Sequence, residues 1–102
     1  MAFKNGMRPV HPGEVLREEY LRPLDMSVNA LAKRLGIPTS RLNDIVLERR
    51  GVTPDTAMRL ARCFGGDALS WINLQAAHDL RLVEMKKAKE IERTVEAFGE
   101  SA

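Results

Sequence analysis

The chain has little with which to build a covalent or metal framework. Its single cysteine, Cys63, excludes an internal disulfide and suits a reducing, cytoplasmic setting. Beside it stand only two histidines, His11 and His78, too few and too widely separated for a metal site. Aromatic residues make up 5% of the sequence, so the core must be built mainly from Leu, Ile, Val, Met and Ala. No apolar run approaches the ~20 residues that span a bilayer. The N-terminus, MAFKNGMRPV, lacks the apolar stretch of a signal peptide. Strand-like alternation, internal repeats and low-complexity segments are missing too. No nucleophile–base constellation and no cofactor motif stands out, so neither an enzyme nor a cofactor is expected.

What is present is a 102-residue chain, enough for one domain with one modest core. The net charge of +2 is too small to argue for nucleic acid, but its distribution is informative. Residues 1–66 carry 11 Lys/Arg against 7 Asp/Glu, whereas residues 67–102 carry 5 against 7. A basic first part and an acidic second part fit a DNA-facing and a protein-facing half.

The segment Val28 to Leu47, VNALAKRLGIPTSRLNDIVL, reads as a helix-turn-helix. Ala32 is small where two helices must cross, and Gly36 supplies the left-handed turn residue. Leu31, Leu35, Ile37, Leu42 and Ile45 provide the apolar contacts between the two helices. Ser27 is a good N-cap for the first helix, and Thr39 or Ser40 for the second. That second helix leaves Ser40, Arg41, Asn43 and Asp44 on its polar faces, a size and polarity suited to a DNA major groove.

The flanks read as helices as well. His11-Pro12-Gly13 precedes Glu14 to Leu21, where Val15, Leu16, Tyr20 and Leu21 recur at helical spacing and Pro23 closes the run. Thr53-Pro54-Asp55 is a start signal for a fourth helix, with Ala57, Leu60, Ala61 and Phe64 inward and Gly65-Gly66 as its stop. Asp67 caps a fifth helix. No Gly or Pro lies between Gly66 and Phe98, so the fifth helix is free to run on through the tail. There Met85, Ala88, Ile91, Val95 and Phe98 form a thin apolar stripe. The expected organisation is all-α: a loose arm over 1–10, a five-helix domain over 11–82 and a helical tail over 83–102.

Arg8-Pro9 with His11-Pro12-Gly13-Glu14-Val15-Leu16, Arg49 with Gly51-Val52-Thr53, and Trp71 with Asn73-Leu74-Gln75-Ala76-Ala77 and Asp79-Leu80 carry a resemblance. Over residues 7–82 the chain resembles HigA-type antitoxins of the XRE, or lambda-repressor-like, helix-turn-helix family. The resemblance implies a folded antitoxin that neutralises a RelE-like (HigB-type) RNase toxin. It also implies a homodimer that represses its own operon at a palindromic, double-stranded operator. Leu47-Glu48-Arg49 stands where relatives often have a small or Asn-Gly turn, and the tail after Leu82 matches no motif. An XRE regulator without a toxin, and an interaction module that no longer binds DNA, are the competing readings.

Candidate site residues follow. Thr39, Ser40, Arg41 and Asn43 suit base edges and phosphates near the start of the recognition helix, since Arg forks fit guanine and Asn fits adenine. Asp44 is expected to pair with an arginine or to exclude wrong bases. Arg49 and Arg50 suit phosphates, and Thr53 is both an N-cap and a phosphate neighbour. Two acidic patches are candidates for a basic toxin: Glu14, Glu18 and Glu19 on the first helix, favoured because it lies within the family resemblance, and Glu84, Glu90, Glu92 and Glu96 on the tail, which lies outside it. Trp71, Leu74 and Leu80 are candidate dimer contacts, with Trp71 also read as a core anchor, and Cys63 is expected to be buried and inert.

Overall fold

The computed structural model describes residues 8–99, and among these it is all helix and connecting loop. Helix α1 (Pro12–Val15) widens directly into a π-helical stretch, Leu16–Leu21. Helices α2 (Val28–Leu35), α3 (Thr39–Val46), α4 (Pro54–Phe64) and α5 (Ala68–Thr94) follow. The core gathers Leu16, Leu31, Leu42, Ile45, Ala57 and Leu60, all inaccessible to solvent, with Trp71 at its edge. Burying such side chains contributes roughly 1.5–3 kcal/mol each.

The helix starts follow the sequence logic, with one exception. Ser27, Thr53 and Asp67 accept hydrogen bonds from the backbone N–H of Ala30, Thr56 and Ser70. Gly36 takes the left-handed conformation, φ 71°, that the turn demands. Neither Thr39 nor Ser40 caps α3, however. Pro38 occupies the cap position, and no side chain bonds the first-turn amides there. Thr39 is already the first helical residue, and its hydroxyl is engaged elsewhere.

The HPGE run turns out to be a piece of packing hardware. His11 Nδ1 accepts from the Gly13 N–H at 2.8 Å and so caps α1. Pro12 fits the first helical position because no N–H is needed there. A Cβ at Gly13 would overlap the Ile45 carbonyl oxygen, so only glycine lets α1 close on the back of α3. Arg8 grips Glu14 with two bonds, at 2.7 and 2.8 Å. The expected loose arm is therefore tethered at Arg8, while residues 1–7 of it lie outside the described residues.

The π-helical stretch was not expected from the spacing. Its wider turn brings both Tyr20 and Leu21 toward the core, where the Tyr20 ring lies 4.3 Å from Phe64 and 5.9 Å from Trp71. Arg17 leaves the same stretch to donate to the Val46 carbonyl at the end of α3, at 2.6 Å.

Helix α5 crosses residues 82 and 83 without a break. It ends at Thr94, so Val95 and Phe98 continue the apolar stripe only in sequence and not on a helix. Residues 100–102 of the expected tail lie outside the described residues. Among those described, no helix is long and apolar enough to cross a membrane.

Candidate nucleic-acid interface

Helix α3 buries Leu42, Ile45 and Val46 and turns its other side outward. Thr39 and Ser40 are exposed at its start, and Arg41, Asn43 and Asp44 are half-exposed along it. A first turn uncapped by any side chain presents backbone N–H groups to solvent or to an anion. The candidate reading residues thus share one accessible side and one polar helix end.

Each is also held by a partner. Thr39 donates to Asn29 Oδ1 at 2.8 Å, tying the first turns of α2 and α3 together. Asn29 is exposed beside the recognition helix, and sequence reasoning missed it. The signal was available, since an exposed polar residue in the first turn of the preceding helix sits within reach of the next helix start. Arg41 Nη2 lies 3.3 Å from Asp55 Oδ1 in the first turn of α4, and Asp55 in turn accepts from Arg59 Nε at 2.7 Å. These arginines hold the Asp55 carboxyl below its ordinary range, the Arg59 hydrogen bond first among the causes.

Asp44 pairs as expected. Its carboxylate meets Arg49 at 2.8 Å and Arg50 at 3.7 Å, and both arginines stay well exposed. Glu48 on the same turn is paired with Arg17 at 3.4 Å, which leaves Asp44 as the acid between these two cations. Thr53, also exposed, caps α4 on that same side. The turn itself is shaped by Glu48, which adopts φ 64° without being glycine. It is fastened from behind by Gln75 of α5, whose Oε1 accepts from the Val52 N–H at 2.8 Å. Beside it the His11 and His78 rings meet edge to face, 4.8 Å apart. Burial, followed by His78, pushes the His11 pKa down.

Three expectations about other surfaces need revision. The carboxylates of α1 and its π extension do not form a free acidic face. Glu14 is occupied by Arg8, which holds its pKa low, and Glu18 is shared by Arg17 and Arg22. Glu19 alone of the three is in no ion pair among the described residues. Trp71 is 7% exposed and belongs to the core of its own domain, so it offers no open dimer surface. Leu74 is half-buried against that core, whereas Leu80 is 61% exposed. Cys63 is half-buried rather than buried. It lines a surface groove with Arg34, Arg59 and Arg62.

Comparison with known proteins agrees with this geometry. The helix-turn-helix family model matches residues 16–70. Virulence-associated protein I of Dichelobacter nodosus is 58% identical, over 84% of this chain and 80% of that protein. Antitoxin GraA, solved in complex with its operator, superposes with a TM-score of 0.86 at 44% identity, over 97% of this chain and 100% of that one. Pseudomonas aeruginosa antitoxin HigA, solved with the higBA promoter, gives 0.85 at 42% identity, over 90% and 100%. On this ground the chain belongs to the helix-turn-helix family, in its group of HigA-type antitoxins.

Proposed function

We propose that this protein is a cytoplasmic, dimeric antitoxin that represses its own operon and neutralises a RelE-like (HigB-type) toxin. The observation that carries the DNA-binding part is the accessible side of α3. Thr39, Ser40, Arg41 and Asn43 stand together there, with Arg49, Arg50 and Thr53 flanking them. Relatives at over 40% identity that were solved with operator or promoter DNA support the same docking.

In this reading α3 enters the major groove. Arg41 and Asn43 address base edges, and Arg49 and Arg50 address phosphates. One short helix reads only a few base pairs. Two copies about a two-fold axis would read half-sites about 34 Å apart. The proposed dimer surface is the exposed apolar side of α5 around Leu80, while Leu74 is turned toward the core.

A folded chain of this kind would meet its toxin with a preformed surface. With Glu14 and Glu18 internally paired, the proposed toxin face centres on Glu19 and keeps Glu18 as a secondary contact. A basic toxin is expected to compete with Arg22 for Glu18. The experiment is co-expression with the neighbouring gene product, followed by pull-down and by gel shift on the protein's own upstream region. Capture of a basic partner and a shift specific to that region support the proposal. A shift without any captured partner would favour an XRE regulator lacking a toxin. No shift at all would remove the DNA-binding reading.

A further inference from the structure

Arg41 is fixed at two points. Its Nε is shielded from solvent and meets no hydrogen-bond acceptor among the described residues, so the side-chain stem lies against the body of the domain. Its tip rests on Asp55 Oδ1. Asp55 is anchored in turn by Arg59, whose Nη1 donates to the Leu35 carbonyl at the end of α2, at 2.8 Å. A relay of three side chains therefore joins the carbonyl end of α2, the first turn of α4 and the reading side of α3.

A long arginine in water samples many rotamers and pairs with whichever phosphate is nearest, because phosphate contacts demand little orientation. A base edge demands a fork held in one direction. Preorganisation by a neighbouring carboxylate favours the second over the first. The same carboxylate repels nearby phosphates, which discourages Arg41 from sliding onto the backbone.

We infer that Asp55, which lies outside the reading helix, is the positioning residue that makes Arg41 a base reader rather than a phosphate binder. This rests on the proposed docking of α3 in operator DNA. Asp55 stays ionised at working pH, since its two arginine neighbours hold its pKa low.

The test is fluorescence anisotropy of the full chain with two duplexes of equal length: its own upstream operator and a scrambled sequence. Asp55→Asn keeps the shape and removes the charge. Removing one negative charge tightens both duplexes alike if charge alone matters, so the readout is the ratio of the two affinities. The expected result is a drop in that ratio of roughly 5- to 10-fold, at the lower end of the range that a bidentate arginine contact discriminates. In an Arg41→Ala background, Asp55→Asn is expected to leave the ratio unmoved. Arg59→Ala, which loosens the relay but leaves Asp55 beside Arg41, is expected to cost thermal stability with a smaller change in the ratio. A ratio unaffected by Asp55→Asn overturns the inference. So does an equal loss in the Arg41→Ala background, or a loss with Arg59→Ala as large as with Asp55→Asn. If the wild-type chain itself fails to prefer the operator, the docking of α3 has failed rather than the role of Asp55.

Discussion

Gly13 sits where α1 closes on the recognition helix, and a methyl group there has nowhere to go but into the Ile45 carbonyl. In an open helix, Gly→Ala gains up to about 1 kcal/mol from propensity. Here the overlap, costing about 1–3 kcal/mol, outweighs that gain. Gly13→Ala is therefore expected to lower the urea midpoint, and a raised midpoint would show that α1 is free to back away. His11 beside it makes a pH statement. Its Nδ1 must be unprotonated to accept from Gly13, and burial lowers its pKa below the ordinary 6.5. The unfolded chain thus binds the proton more readily than the folded one. The contribution is complete above pH 6.5 and is lost as pH falls through the lowered pKa. Urea titrations from pH 7.5 down to about 5 are expected to show falling stability, and His11→Asn, which keeps an acceptor at the cap, to flatten that slope. Glu48 offers the opposite case. At φ 64° it holds a left-handed conformation that costs a non-glycine residue about 1 kcal/mol or more, with only an exposed Arg17 contact in return. Glu48→Asn, which tolerates that conformation, is expected to raise stability by roughly 0.5–1 kcal/mol in the same titration.

Among the elements, the packing of α2 on α3 is the most legible. A helix-turn-helix constrains its apolar positions tightly, so Leu31, Leu35, Ile37, Leu42 and Ile45 follow directly from spacing and are all buried. What spacing conceals is side-chain pairing across elements. The contacts Thr39–Asn29, Arg41–Asp55 and Gln75–Val52 join residues 10, 14 and 23 apart in sequence, and no local pattern encodes them. The π widening of Leu16–Leu21 was invisible for a related reason, because it answers to packing against Phe64 and Trp71 rather than to propensity. The cap of α3 was misplaced because Thr and Ser are strong caps in general, while here Pro38 already sets the entry angle. On the turn after α3, Arg49→Ala with Arg50→Ala is expected to weaken operator and scrambled DNA alike and to flatten the salt dependence of binding. An unchanged salt slope would mean that Asp44 keeps both arginines off the backbone.

At the scale of the whole molecule, the residues that identify the family are mostly not those that read DNA. HPGE and W-x-N-L-Q-A-A-x-D-L meet behind the recognition helix, through His11 on His78 and Gln75 on the turn at Val52. Their shared work is to hold α3 and its following turn at a fixed angle to the body. That explains why family membership was plain from the sequence while the operator sequence was not. The molecule measures 54 × 24 × 23 Å, its length set by α5 running past the compact body. The exposed second half of α5 carries Leu80, Val83, Met85 and Ile91 among charges. Cutting the chain after Leu82 is expected to leave the core and the proposed toxin face intact. Toxin pull-down with that truncation checks it, and loss of capture would move the toxin site to the tail.

The most direct test of the account is the affinity ratio between the upstream operator and a scrambled duplex at about 150 mM salt, measured for wild type and for Arg41→Ala with Asn43→Ala. Specific binding is expected to exceed non-specific binding by on the order of 10³ or more. Each substituted side chain that makes a bidentate base contact is expected to cost the operator roughly 1–3 kcal/mol while sparing scrambled DNA. Equal binding of both duplexes by the wild-type chain, or a ratio untouched by the double substitution, would contradict the claim that α3 reads DNA.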